Sequence, residues 1–84
     1  MKVLWHEDAW KEFEYWLDKD LAKSKKNRKL IQEIQRSPYE GSGKPEALKH
    51  GLMGWYSRRI NIEHRLVYKV ENDTLYILSC MYHY

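Results

Sequence analysis

Cysteine is almost missing from this chain of 84 residues, where Cys80 stands alone. One thiol excludes an internal disulfide framework and suits a reducing compartment. Long apolar runs are missing as well. No segment approaches the roughly 20 apolar residues of a membrane-spanning helix, and the opening stretch MKVLWHEDAW holds no run of signal-peptide length. The expectation is a soluble, cytoplasmic protein with no membrane partner. Proline and glycine are scarce, and all of them fall between Pro38 and Gly54.

Metal-binding patterns are also wanting. The histidines His6, His50, His64 and His83, with Cys80, show no His-x₃-His or Cys-x₂-Cys spacing. No glycine-rich loop stands before a helix to cradle phosphate, and no Ser or Cys lies in a nucleophile motif. Neither a metal nor a nucleotide cofactor is expected. Cys80 reads as an inert thiol buried in the last strand.

What the chain does have is aromatic mass: four Trp, seven Tyr and one Phe. So short a chain implies one domain, residues 1–84, whose small core must be efficient. Aromatic side chains supply that efficiency, although so small a core leaves some Tyr partly exposed. The net charge of +3 is unevenly spread. Residues 44–69 carry six basic and two acidic residues, residues 7–20 are acidic, and KSKKNRK (23–29) is basic. The last run fits a solvated helix face and an RNA contact equally well. Arg58, Arg59 and Arg65, interspersed with Trp55, Tyr56 and His64, suit phosphates and unstacked bases.

Lys2 to Trp5 reads as a first strand. Ala9, Trp10, Phe13, Trp16 and Leu17 then fall on one stripe of a helix from Glu7, with acids on the other face. A second helix runs from about Asp20 to Arg36, where Pro38 ends it. The acidic first helix and basic second helix should pair antiparallel through exposed cross-helix ion pairs, each weak. PYEGSGKPEALKHGLMG (38–54) lacks a lasting period and reads as a loop, with a helical turn at PEALKH. A loop this long inside so small a domain points to function. Strands follow at 55–60, 64–70 and from Thr74 onward. The order β-α-α-β-β-β predicts an α+β fold: a small antiparallel sheet with two helices packed on one face.

The second half holds acids, bases and cations that could meet. Alternation puts Arg58 and Arg59 on opposite faces. An antiparallel sheet could gather Arg59, Arg65 and His83 on one face, with the loop folding Glu46 over it and Lys49 three residues on. Metal-free RNA cleavage needs such a set: a base for the 2′-hydroxyl proton, a cation for the phosphorane and an acid for the departing 5′-oxygen. Spacing alone leaves plainer readings open, namely an exposed acid after Pro45, a surface ion pair at Arg65 and a strand-end histidine at His83. A small basic nucleic-acid-binding domain would then suffice.

KPEALKH (44–50), SRRINIEHRLVY (57–68) and YHY (82–84) resemble the YoeB-type toxins of bacterial toxin–antitoxin pairs, which are related to RelE. The MKVLW start, the SPYEGSGKPE loop and the final HY share the resemblance, which spans essentially the whole chain. It implies a RelE-like fold and a toxin that enters the ribosomal A site and cuts mRNA there. Carried onto matching positions, it implies Glu46 as general base, His83 as general acid and Arg65 as the group stabilising the transition state. Lys49 and Arg59 would hold phosphate, and Tyr84 would place the scissile nucleotide; Arg58 is expected on the RNA-binding surface from the arginine–aromatic cluster alone. The final strand would deliver His83 and Tyr84 into the groove.

The resemblance also implies a cognate, YefM-like antitoxin whose acidic segment folds over the toxin. Family members can dimerise, and nothing in the composition demands a homodimer. Three positions depart from the pattern. Trp55-Tyr56 stands where Phe or Tyr followed by Trp is common, Ala47 where Pro is common, and Met81 where a basic residue is common. A non-catalytic ribosome- or RNA-binding module is the alternative, and a domain that only binds its antitoxin is a third.

Overall fold

The computed structural model describes residues 1–82. Strand β1 (Lys2–Trp5) leads into helix α1 (Glu7–Lys19) and helix α2 (Leu21–Arg36); β2 (Glu46–Ala47), β3 (Tyr56–Arg59), β4 (Arg65–Glu71) and β5 (Thr74–Ser79) follow. The strands form one sheet in the order β1-β5-β4-β3-β2. Two helices on one face of a small sheet is the α+β arrangement expected. The sheet is mixed rather than wholly antiparallel, because β1 lies parallel to β5 at its edge. A parallel neighbour needs a long crossover, and here the helical hairpin and the strands after it provide one.

Local chemistry sets the helix ends. His6 caps α1, its Nδ1 accepting the Asp8 amide at 3.2 Å, and Glu7 and Asp8 occupy the favourable first turn. Asp20 closes one helix and opens the next. Its amide donates to the Trp16 carbonyl, while its Oδ1 accepts from the Lys23 amide at 3.3 Å. Lys23 Nζ bonds Asp20 Oδ2 at 2.6 Å, and this contact chiefly holds the Asp20 carboxyl below its ordinary range.

Ala9, Phe13 and Trp16 from α1 meet Leu30 and Ile34 from α2 in the core, against Leu66, Tyr68, Leu75, Ile77 and Cys80 of the sheet side. The buried stripe of α1 is narrower than its sequence stripe. Trp10 remains 44% and Leu17 40% exposed, and Trp10 sets its edge against Trp5 with ring centres 5.4 Å apart. The expected cross-helix ion pairs are not found among the described residues. Glu7 pairs with Lys11 and Asp20 with Lys23, both locally. No helix among the described residues is long and apolar enough to cross a membrane.

Two irregularities aim the second half of the chain. Asn72 and Asp73 both take positive φ, 53° and 54°, as the tight turn between β4 and β5 requires. Farther along, Val67 pairs with Ser79 but Tyr68 with Ile77, leaving Leu78 as an extra residue on β5. That bulge resets the alternation, so Cys80 turns into the core and Ser79 lies opposite Val67. Burial, with the nearby Glu12 carboxylate, pushes the Cys80 thiol up to about 12.

A candidate site on the outer face of the sheet

Alternation divides β3 between the two faces of the sheet. Tyr56 and Arg58 point toward the helices, whereas Ser57 and Arg59 point away. Register carries the pattern across, since Arg59 stands opposite Arg65, Ser57 opposite Val67, and Glu46 opposite Ser57. Glu46, Arg59 and Arg65 therefore share the outer face, as the sequence suggested.

The helical turn expected at PEALKH is absent, because Glu46 and Ala47 form β2 and pair with β3. Backbone pairing along β3 outweighs the local preference that Pro45 gives for a helix start. It continues beyond the strand, where the Leu48 amide donates to the Trp55 carbonyl at 2.9 Å. This correction places Glu46 on the site, since β2 sets its carboxylate beside Arg65.

At the centre, Arg65 Nη1 lies 3.9 Å from Glu46 Oε1 and donates to Ser57 Oγ at 3.3 Å. The Glu46 side chain is 53% exposed and that of Arg65 20%. An ion pair this open holds the two groups together weakly and leaves both accessible to a ligand. Arg59 is exposed beside them. Lys49 is exposed on the loop after β2, lining with Glu46, Leu48 and Leu52 a cavity of about 650 Å³. His83 and Tyr84 lie outside the described residues.

Arg58 requires a correction. Its side chain is wholly buried, which removes it from any RNA-binding surface. Its guanidinium donates to the carbonyls of Ser37 at 2.7 Å and Glu40 at 2.8 Å, and its Nε to the Tyr68 hydroxyl at 3.2 Å. Nη1 faces Glu33 Oε1 at 3.5 Å and the Ser42 carbonyl at 3.4 Å. The loop from Ser37 to Ser42 thus wraps around one buried cation. Glu33 closes the arrangement by accepting from the Ser42 amide at 3.0 Å and hydroxyl at 2.8 Å. Those bonds from Ser42, with Arg58 and Lys29 adding charge, hold the Glu33 carboxyl below its ordinary value. Arg58 shapes the loop that leads to Glu46.

The aromatic residues near these arginines also part company. Tyr56 turns inward and packs its ring 4.8 Å from Tyr39. His64 is buried. Trp55 remains near the outer face, with Lys69 Nζ 4.9 Å from its ring. Met81, where a basic residue was the common alternative, packs against the core cluster. The basic run on α2 exposes Lys25, Arg28 and Lys29, on the opposite side of the sheet from Glu46 and Arg65. Ser57 was not singled out from the sequence. Its position two residues before Arg59 on one strand was the available signal. No group of three His, Cys, Asp or Glu gathers as a metal site among the described residues.

Residues 5–84 match the family model of the YoeB-like toxin of bacterial type II toxin–antitoxin systems. The chain is 51% identical over 84 residues to the toxin YoeB of Escherichia coli K12, covering all of both chains. It superposes with a TM-score of 0.93 on a chain from the heterotetrameric YoeB–YefM toxin–antitoxin complex of Staphylococcus aureus, at 44% identity, covering 100% of this chain and 98% of that one. A YoeB dimer from the same organism gives a TM-score of 0.95, at the same identity and coverage.

Proposed function

The chain belongs to the YoeB-like toxins of bacterial type II toxin–antitoxin systems, and from that premise we propose that it is an endoribonuclease that cuts mRNA in the ribosomal A site. The observation that carries the proposal is the Glu46–Arg65 pair at 3.9 Å on the outer face, with Arg59 in register beside it.

Glu46 takes the proton from a 2′-hydroxyl. The freed oxygen attacks the adjacent phosphorus, and the bond to the 5′-oxygen breaks. His83 gives its proton to that leaving oxygen, so the products are a 2′,3′-cyclic phosphate and a 5′-hydroxyl. Arg65 faces the charge that gathers on the phosphorane; its planar fork matches phosphate oxygens and keeps its charge at working pH. Arg59 and Lys49 hold neighbouring phosphates, and Tyr84 places the scissile nucleotide. Acid and base steps each contribute about 10²–10⁴ in rate, and a preorganised cation about 10²–10³. Half-exposure of Glu46 favours the reading, since a base must reach its substrate. The ribosome supplies the held, single-stranded mRNA.

The antitoxin complex and the dimer among the relatives support a YefM-like antitoxin as this chain's partner and a homodimer as its free form. A ribosomal substrate places the protein in the cytoplasm. The test is end-mapping of an mRNA on programmed ribosomes with purified protein and no added metal. Cleavage within the A-site codon, ending in a cyclic phosphate and abolished by a single 2′-deoxy substitution, is expected. Ribosome binding without cleavage would replace the enzyme by a binding module.

A further inference from the structure

Beyond Ser79 the last strand ends, yet Cys80 and Tyr82 remain tethered. The Cys80 amide donates to Glu12 Oε1 at 2.8 Å, and its carbonyl accepts from Trp16 Nε1 at 2.9 Å. Two residues on, the Tyr82 amide donates to His64 Nδ1 at 2.8 Å, and the Tyr82 carbonyl accepts from the Arg65 amide at 3.2 Å. Side chains of α1 and of His64, just before β4, thus hold this segment together with the backbone amide of Arg65.

His64 is the fixed point of this arrangement. It is 5% exposed, and its ring centre lies 4.8 Å from those of Trp16 and Tyr82. Its own amide donates to Asn61 Oδ1 at 2.7 Å, and its carbonyl accepts from Ile60 at 2.9 Å. Accepting at Nδ1 requires the neutral tautomer with the proton on Nε2. Packing alone asks only for a flat ring there. Among the described residues that nitrogen meets one donor, the amide of Tyr82.

We propose that His64 is a positioning residue whose Nδ1 fixes the Tyr82 peptide and so directs the chain that carries His83. Its catalytic consequence rests on the proposed ribonuclease reading. Arg65 is joined to the same device, since its backbone amide holds Tyr82 while its side chain faces Glu46. One short stretch, His64–Arg65, therefore holds the cation and the Tyr82 peptide in a common frame.

Two substitutions separate ring from nitrogen. His64→Phe keeps the stacking and removes the acceptor, whereas His64→Gln keeps an acceptor and removes the ring. Amide hydrogen exchange reads the clamp directly. Exchange at Tyr82 should speed by about tenfold or more in His64→Phe, with the core amides unchanged. In ribosome-programmed cleavage, kcat should fall about 10- to 100-fold with KM unchanged, as for a misplaced catalytic group, and His64→Gln should recover part of it.

A second probe serves if His64→Phe does not fold. Ligating residues 1–79 to a synthetic peptide beginning at Cys80 allows an ester in place of the Met81–Tyr82 amide, which deletes only the N–H. That protein should show the same loss of kcat. Unchanged Tyr82 exchange in His64→Phe, or wild-type kcat in the ester protein, overturns the proposal. Absence of cleavage by the wild-type chain would count against the ribonuclease reading, and the exchange comparison would still decide the clamp.

Discussion

Arg58 and Arg59 are neighbours on one strand and share almost nothing else. Arg58 faces the helices, is wholly buried and gives its guanidinium to a loop, a tyrosine and Glu33. Arg59 faces outward, is exposed and stands beside Arg65 and Glu46. The inner arginine is saturated by three backbone carbonyls, the Tyr68 hydroxyl and Glu33, and has nothing left for a ligand. Among the described residues the side chains of the outer pair have a weak carboxylate contact and one hydroxyl, so there a phosphate can displace little and gain much. One basic cluster in the sequence thus splits into a buried scaffold half and an exposed half on which the proposed chemistry rests, and the pleat of β3 does the splitting.

The largest effect that could break this division is expected at Glu46. Glu46→Gln should lower single-turnover cleavage by about 10²–10⁴, with the urea unfolding midpoint unchanged. A stability loss of matching size would mean that Glu46 belongs to the scaffold. Arg58→Met should do the reverse. Removing one partner of a buried charged network costs about 3–5 kcal/mol, read as a lower unfolding free energy, and any loss of cleavage should track the fraction unfolded.

A smaller effect is expected at Gly41, which takes φ 129° where an added Cβ would lie 2.8 Å from Arg58 Nη1. Gly41→Ala should cost about 1–3 kcal/mol through backbone strain and disturbance of the guanidinium, measured by thermal unfolding. Acid should give the smallest change. The Glu33 carboxyl lies below its ordinary value of 4.5 when folded. Its contribution is therefore full above that value and disappears as pH falls through the lower folded value. Unfolding free energies of wild type and Glu33→Gln should differ at pH 7 and converge at lower pH. A constant difference would show that the carboxylate's charge adds nothing to the Arg58 network.

Much of this molecule could be read from spacing. Ala9, Phe13 and Trp16 mark the buried stripe of α1, Asp20 and Pro38 bracket α2, and alternation separates Arg58 from Arg59. Local pattern does not reveal partners. Nothing in KVLW states that β1 lies parallel to the last strand, and PEALKH carries a helix-start proline while its backbone pairs with β3. Alternation put the two arginines on opposite faces without saying which face was inner. The acceptors that bury Arg58 are mostly backbone carbonyls, which leave no mark in a side-chain pattern. The role of His64 was hidden for the same reason, because its partner is the amide of Tyr82. Arg59 and Arg65 were recoverable because their register follows from strand order and turn length, whereas Glu46 was expected on that face only through a folded loop and not through the strand that carries it.

The central claim is that the outer face performs chemistry that the inner face only supports, and Arg65 tests it most directly. Single-turnover cleavage of an mRNA on programmed ribosomes should be compared between wild type and Arg65→Met, each shown by urea unfolding to be folded under the assay conditions. The account predicts a rate about 10²–10³ lower, with unfolding free energy within about 1 kcal/mol of wild type, the worth of the lost bond to Ser57. An Arg65→Met protein that cuts at the wild-type rate would contradict it.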